Sequence, residues 1–235
     1  IRDRSPSRGL GDVYKRQIEE ETGYRVRLGK LIGKTVYPVK NTTKVVYYWT
    51  GEVIDGQFQA NDEVDELRWL PIEAAKKLLS YDLDREVLAK AAKRFRKPAD
   101  ARVLYVRHAH AHDREKWSGD DNLRPLDKKG LRQSEMLVPM LVPFAPTRIF
   151  SALPDRCQAT VAPLADELGL DVEVDERLGD NAWLGNMVDA QHAFMDVVAQ
   201  GGVSVVCAQG DVIPGMVAWL SAQAVSYTHL RAHET

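Results

Sequence analysis

A short apolar strand that ends on an arginine and a histidine constrains this chain more than any other stretch. Val103-Leu104-Tyr105-Val106 is a run of apolar, β-prone residues, and Arg107-His108-Ala109 follows where that strand should end. In open α/β sheets, ligands bind at the carboxyl edge of the strands. Arg107 brings a planar, permanent charge suited to a phosphate, and His108 brings an imidazole nucleophile. A histidine at a strand end also serves as a plain structural hydrogen-bonder, so the remaining sequence has to decide between the two roles.

The pattern recurs downstream. Arg124-Pro125-Leu126-Asp127-Lys128-Lys129-Gly130 leads into a helix beginning near Leu131. Ile149-Phe150-Ser151-Ala152 reads as the next strand end, and Asp155-Arg156-Cys157-Gln158 opens another helix. Val203–Ala208 is the last strong strand and runs into Gln209-Gly210-Asp211. This βαβ rhythm predicts an α/β fold, a layered sandwich around a mainly parallel sheet. Its strand ends carry Arg107-His108, Ser151 with Arg156, and Gln209-Gly210. His108, His110 and His112 alternate along the first loop and invite a metal reading, but no second ligand cluster with fitting spacing accompanies them.

Composition narrows the function classes. Of the 235 residues 44% are hydrophobic and 28% charged, and the formal net charge of −2 gives no bulk attraction for a nucleic-acid polymer. No apolar run approaches the ~20 residues of a membrane span, and no secretory signal is visible. Cys157 and Cys207 make neither a metal-ligand nor a disulfide pattern, which points to a reducing cytoplasm.

Arg-His after the first strand, Arg-Pro-Leu with a downstream glycine, and Ser151 followed by Arg156 together resemble the histidine phosphatase superfamily across Val103–Ala224. The resemblance implies that His108 accepts a phosphoryl group. It also implies that Arg107 and Arg156 clamp the phosphoryl oxygens and that Ser151 helps position the pocket. Gln209 stands where the family usually has a histidine; its amide can donate to a phosphate but carries no charge. Glu176 and Asp180 are the nearby acids from which a proton donor would come.

Both termini are expected to be foreign. Ser226–Glu234 and Arg8–Lys15 are encoded by opposite strands of one DNA string in shifted frames, a string that looks like a transposon-type sequencing-library adapter. Residues 1–17 and 225–235 are accordingly read as adapter-like tails, 18–96 as a first domain, 97–102 as a linker, and 103–224 as the second domain.

In the first domain, Ile18-Glu19-Glu20-Glu21-Thr22-Gly23-Tyr24 suits a helix end with Gly23 at its cap. Lys30–Val39 and Lys44–Val53 read as strands, and Asp55-Gly56 as a turn signal. An acidic stretch, Asn61–Glu66, precedes Trp69, Pro71 and a helix over Ile72–Leu79, followed by a basic amphipathic helix over Asp84–Arg96. Trp69 fits a core position better than a base-stacking platform.

Ile18, Glu20, Glu21, Gly23 and Tyr24 resemble the tail of the Nudix box, and the acidic loop, Trp and Pro continue that likeness. The resemblance implies a Nudix α/β/α sandwich, here truncated, whose helix-borne carboxylates hold Mg²⁺, with Mn²⁺ as a substitute. Carboxylates at i, i+3 and i+4 lie on one helix face, and hard oxygen ligands suit that ion. Glu20 and Glu21 are the candidate ligands, with Glu63 or Glu66 adding a further carboxylate; Gln17 occupies the position of the family's first glutamate.

A Nudix domain followed by a histidine phosphatase domain resembles bacterial two-domain MutT-like proteins. That order implies Mg²⁺-dependent hydrolysis of 8-oxo-(d)GTP or dinucleoside polyphosphates, with the Nudix site of this chain impaired by its incomplete box. A histidine-type phosphatase and a non-catalytic nucleotide-binding module are the alternatives.

Overall fold

The structure is a computed structural model that describes residues 18–39, 42–96 and 99–231. It divides between Ala99 and Asp100 into two compact units. The expectations for residues 1–17, including Gln17, and for Lys97-Pro98 lie outside the described residues.

The first unit is built on a long antiparallel ribbon of β1 (Tyr24–Val39) and β2 (Thr42–Gly56). Val45, Val46, Tyr47, Tyr48 and Trp49 suit such a pleated surface. Both strands outrun their apolar patterns, and in the added stretch Arg25 pairs with Asp55, and Arg27 with Glu52, across the ribbon. Asp55-Gly56 closes the ribbon rather than turning it. Gly56 has φ +100°, and its N–H donates to Asp55 Oδ1 at 2.8 Å. Pro71 then precedes α1 (Ile72–Leu78), and α2 (Asp82–Phe95) follows, with acids in its first turn and bases in its last, as the helix dipole favours.

The described residues of this unit form a two-stranded antiparallel sheet. One expectation fails here. Trp69 is not core: it is 70% exposed, with only an edge-on contact to Tyr24 at 5.8 Å, because it lies on extended chain outside any strand.

The second unit carries a four-stranded sheet of β3 (Ala101–Arg107), β4 (Arg148–Ser151), β5 (Val172–Val174) and β6 (Gly202–Ala208). The spatial order is β3-β6-β4-β5, and every pairing is parallel. Its helices are α3 (Lys128–Leu141), α4 (Asp155–Leu168), α5 (Asp180–Gly185), α6 (Met187–Ala199) and α7 (Val212–Arg231). Every residue from Val203 to Gln209 is buried, so both faces of the sheet are covered there, as a central parallel strand requires. Ile149, Val161, Leu164, Leu178, Val205, Phe194 and Met216 form the middle of this core.

The register brings the strand ends level. Arg107 pairs with Ala208, and Ser151 pairs with Cys207. Beyond the ladder, His108 N–H donates to the Ala208 carbonyl and Ala152 N–H to the Cys207 carbonyl, each at 2.9 Å. α3 starts three residues before Leu131 because Asp127 caps it, accepting from Gly130 N–H at 2.8 Å.

Leu164→Ala, at a fully buried site, is expected to cost ~2–5 kcal/mol of stability, and Leu184→Ala, on an exposed turn of α5, no more than ~0.5 kcal/mol. Urea unfolding of the two variants beside wild type measures both.

Candidate active site

The loop leaving β3 is fastened on two sides. Ala109 N–H donates to Thr160 Oγ1 at 2.9 Å, and the Thr160 hydroxyl donates to the Arg156 carbonyl at 2.6 Å. These bonds tie the loop to the first turns of α4. Opposite, His110 N–H donates to Gln133 Oε1 at 2.8 Å, and His110 Nδ1 meets Asp127 Oδ2 at 2.8 Å. Gly130 packs so closely on the His110 carbonyl that a Cβ has no room. Ala109 and Ala111 are buried, while His108 is half-buried and His110 and His112 are exposed. The three histidines have separate surroundings: His110 bonds Asp127, and the His112 ring lies 6.4 Å from Trp117.

The surroundings of His108 favour a neutral imidazole with one defined tautomer. Its Nδ1 lies 2.7 Å from the Ala109 carbonyl. A carbonyl only accepts, so Nδ1 carries the proton and Nε2 keeps its lone pair. Burial pushes the imidazole pKa below the ordinary 6.5; the Ala109 bond opposes this, and the charges of Arg156, Arg107 and Arg124 add to the lowering.

Three arginines therefore act on one imidazole. Arg107 is exposed, and no carboxylate among the described residues is bonded to it. Its guanidinium lies over Gly210, where a Cβ would stand 2.9 Å from Nη2. Arg156 is only 2% exposed. Its Nη1 donates to the Asp121 carbonyl at 2.6 Å and its Nη2 to Asp121 Oδ2 at 2.8 Å, while Nε is buried without a partner. Arg124 donates from Nε to Asp121 Oδ1 at 2.8 Å and from Nη1 to the His112 carbonyl at 2.6 Å. Arg124 belongs to the Arg-Pro-Leu motif of the sequence, but its closeness to His108 is a product of the fold.

The other expected residues take different positions. Ser151 is fully buried and donates to the Ala152 carbonyl at 2.8 Å, so it braces the end of β4 and offers no free donor to a phosphate. Gln209 is 7% exposed, and its Oε1 accepts from Asp180 N–H at 2.9 Å. Asp180 Oδ1 accepts from the N–H groups of Asp211 and Val212 at 3.1 and 2.8 Å. That carboxylate secures the start of α7 rather than standing free as a proton donor. Glu176 is exposed and lines a cleft of about 410 Å³ together with Asn122, Asn181, Asp189 and Gln209.

The carboxylates of the first unit are less gathered. Glu20 and Glu21 share the helical turn at 18–22, and Asn61 Nδ2 donates to the Glu21 carbonyl at 2.8 Å. Glu63 N–H donates to Asn61 Oδ1, whereas the Glu66 carboxylate is held bidentately by Arg68 at 2.6 and 2.7 Å. Among the described residues no group of three or more histidine, cysteine or acidic side chains is placed to hold a metal ion.

The fold is an α/β domain whose strand ends gather one histidine and several arginines. Residues 103–223 match the model of the histidine phosphatase superfamily (branch 1), and residues 10–91 match that of the NUDIX domain. The chain belongs to the histidine phosphatase superfamily, with a NUDIX domain ahead of that part in sequence. It is 40% identical over 210 residues to a protein of Mycolicibacterium smegmatis named 8-oxo-(d)GTP phosphatase. That match takes in 89% of this chain and 64% of the relative's length. Among solved structures, the protein histidine phosphatase SixA complexed with tungstate is 21% identical at a TM-score of 0.41, covering 49% of this chain and 74% of that one. A mycobacterial glucosyl-3-phosphoglycerate phosphatase with VO3 is 19% identical at a TM-score of 0.41, covering 49% and 78%.

A lowered His108 pKa means that the unfolded chain binds this proton more readily than the folded one. Its contribution to stability is therefore full above the ordinary histidine value and is lost as pH falls through the folded value. A proton NMR titration is expected to place His108 below 6.5 in wild type and to move it upward in Arg156→Met. An unmoved midpoint in that variant contradicts the electrostatic account.

Proposed function

We propose that the protein of which this chain is a part hydrolyses phosphoanhydride bonds of nucleoside polyphosphates. Its substrate class is 8-oxo-(d)GTP, with dinucleoside polyphosphates as the further candidate. The observation that carries this reading is the 40% identity to the 8-oxo-(d)GTP phosphatase, which runs through 89% of the chain and so takes in parts of both domains. Cys157 and Cys207, both buried and unbridged, suit a reducing cytoplasm. No helix among the described residues is long and apolar enough to cross a membrane. The proposal includes neither a membrane nor a nucleic-acid polymer as partner.

The His108 site supports a second reading of the same chain, a histidine-type phosphatase. A phosphoryl group at Nε2 would have its oxygens within the field of Arg107, Arg124 and Arg156. In-line attack forms the P–N bond as the bond from phosphorus to the leaving oxygen breaks, and that oxygen takes up a proton. Water then attacks phosphorus, releasing orthophosphate and restoring the imidazole. The arginines stabilise the charge that spreads over the equatorial oxygens, and loss of one such donor typically costs ~10²–10³ in rate. Gln209, neutral and bonded to Asp180 N–H, supplies a hydrogen bond but no charge. This feature favours slow turnover, or binding without turnover, at this site.

Mg²⁺ dependence belongs to the first reading for a protein whose Nudix box is complete. In this chain Glu66 is committed to Arg68, and Gln17 stands where the family has a glutamate. The 235-residue chain is expected to show little Mg²⁺-dependent hydrolysis of 8-oxo-dGTP.

The test is a phosphate and pyrophosphate release assay on 8-oxo-dGTP, 8-oxo-GTP and a dinucleoside tetraphosphate, with and without Mg²⁺ or Mn²⁺. It compares this chain with the full-length parent protein, and with Glu21→Gln and His108→Ala in that parent. Mg²⁺-dependent turnover by the parent that is lost in Glu21→Gln supports the nucleotide hydrolase. Turnover that ignores Mg²⁺ and is lost with His108→Ala supports the phosphatase instead.

A further inference from the structure

The loop residue Asp121 is the hub of the cationic site. Its backbone carbonyl accepts from Arg156 Nη1 at 2.6 Å, and its Oδ2 from Arg156 Nη2 at 2.8 Å. Its Oδ1 accepts from Arg124 Nε at 2.8 Å, and Arg114 Nη2 approaches Oδ2 at 3.4 Å. The turn that carries it is itself pinned. Asp120 accepts from Asn122 N–H at 2.9 Å through Oδ1, and from Trp117 Nε1 at 2.9 Å through its carbonyl.

We propose that Asp121 is a positioning residue of the phosphate site: it holds Arg156 and Arg124 as one cationic unit beside His108 and leaves the Nε–H edge of Arg156 for a phosphoryl oxygen. The inference rests on reading His108 and its arginines as a phosphate site. A guanidinium has five N–H donors in a fixed plane, so anchoring two of its nitrogens fixes the direction of the third. Arg156 is almost wholly buried, yet its Nε has no partner, a vacancy in bonding that buried donors rarely tolerate. The charge count agrees. One carboxylate faces Arg114, Arg124 and Arg156, and Arg107 carries no bonded carboxylate among the described residues, so cationic charge remains for a dianion. Burial pulls the Asp121 carboxyl upward, but the Arg124 bond and the charges of Arg156, Arg124 and Arg114 outweigh it and hold the group below the usual carboxylate range. The hub therefore stays anionic.

The competing role for Asp121 is that of an internal anion, displaced when phosphate arrives. Its use of the backbone carbonyl argues against that role, because leaving Arg156 then requires the pinned turn to unwind. A displaceable carboxylate would bind through its side chain alone.

The test measures binding of inorganic phosphate and of orthovanadate by calorimetry, alongside ¹⁵N NMR of the arginine Nε–H groups. The proteins are wild type, Asp121→Asn, Asp121→Glu, Arg156→Ala and His108→Ala, all as full 235-residue chains. In wild type, phosphate is expected to move the Arg156 Nε–H resonance, and Arg156→Ala to abolish binding. Asp121→Asn is expected to fold with a lowered melting temperature, because it leaves the buried Arg156 beside an uncharged partner, to weaken phosphate about tenfold or more, and to lose the movement of that resonance. Should Asp121→Asn fail to fold, Asp121→Glu carries the test: the longer side chain shifts the guanidinium, and weaker binding with a displaced Arg156 signal is expected. Affinity equal to or tighter than wild type in a folded Asp121 variant overturns the positioning role. If wild type itself binds neither anion, and Arg156→Ala and His108→Ala behave like it, the phosphate-site reading fails and the role of Asp121 fails with it.

Discussion

The hydrogen-bond ladder that seats β6 between β3 and β4 is the constraint on which the site depends. All three strands run parallel, so their carboxyl ends emerge on the same edge. The pairings of Arg107 with Ala208 and Ser151 with Cys207 bring those ends to one level. A one-residue slip would turn every side chain of β6 to the opposite face and lift Gln209 away from Asp180. The ladder also explains why β6 is apolar throughout: covered on both faces, it has no solvent side to pattern.

On that scaffold the chemistry is set by charge held out of water. A guanidinium as buried as that of Arg156 is costly unless it is paired and hydrogen-bonded, and Asp121 meets both needs. Burial, helped by the charges of Arg156, Arg107 and Arg124, disfavours protonation of His108. The Ala109 carbonyl fixes which nitrogen is free. His108 and these arginines are therefore electrostatically coupled, and changing any member alters the others.

Much of this was legible in the sequence, for physical reasons that differ by element. β3 and β6 are long enough, and apolar enough, to read as buried strands, and the Arg107-His108 pair at a strand end pointed to the ligand edge. The parallel sheet followed from the alternation of strands and helices. β5 spans only Val172–Val174 and α6 follows α5 after a single residue, so neither gives a clear period. Asp120-Asp121 looks like a solvated loop, and nothing local announces that Asp121 joins Arg124 of its own loop to Arg156 of a distant helix. Ser151 was placed correctly at a strand end, but burial at that end gives it a bracing bond instead of a ligand. The Glu20-Glu21 pair lies far in sequence from Glu63 and Glu66, and a competing local partner, Arg68, takes Glu66. Trp69 was misjudged because aromatic character alone does not specify what will cover the ring.

The central claim is that His108, kept neutral and ringed by Arg107, Arg124 and Arg156, accepts a phosphoryl group. The most direct measurement is to incubate the chain with a ³²P-labelled phosphoramidate or 8-oxo-dGTP labelled at the terminal phosphate, quench in alkali, and map any acid-labile label by mass spectrometry. The account predicts label on His108, on its Nε2, that disappears in His108→Ala and falls sharply in Arg156→Ala. Label on a different residue, or turnover of either compound with no phosphohistidine formed, would contradict it.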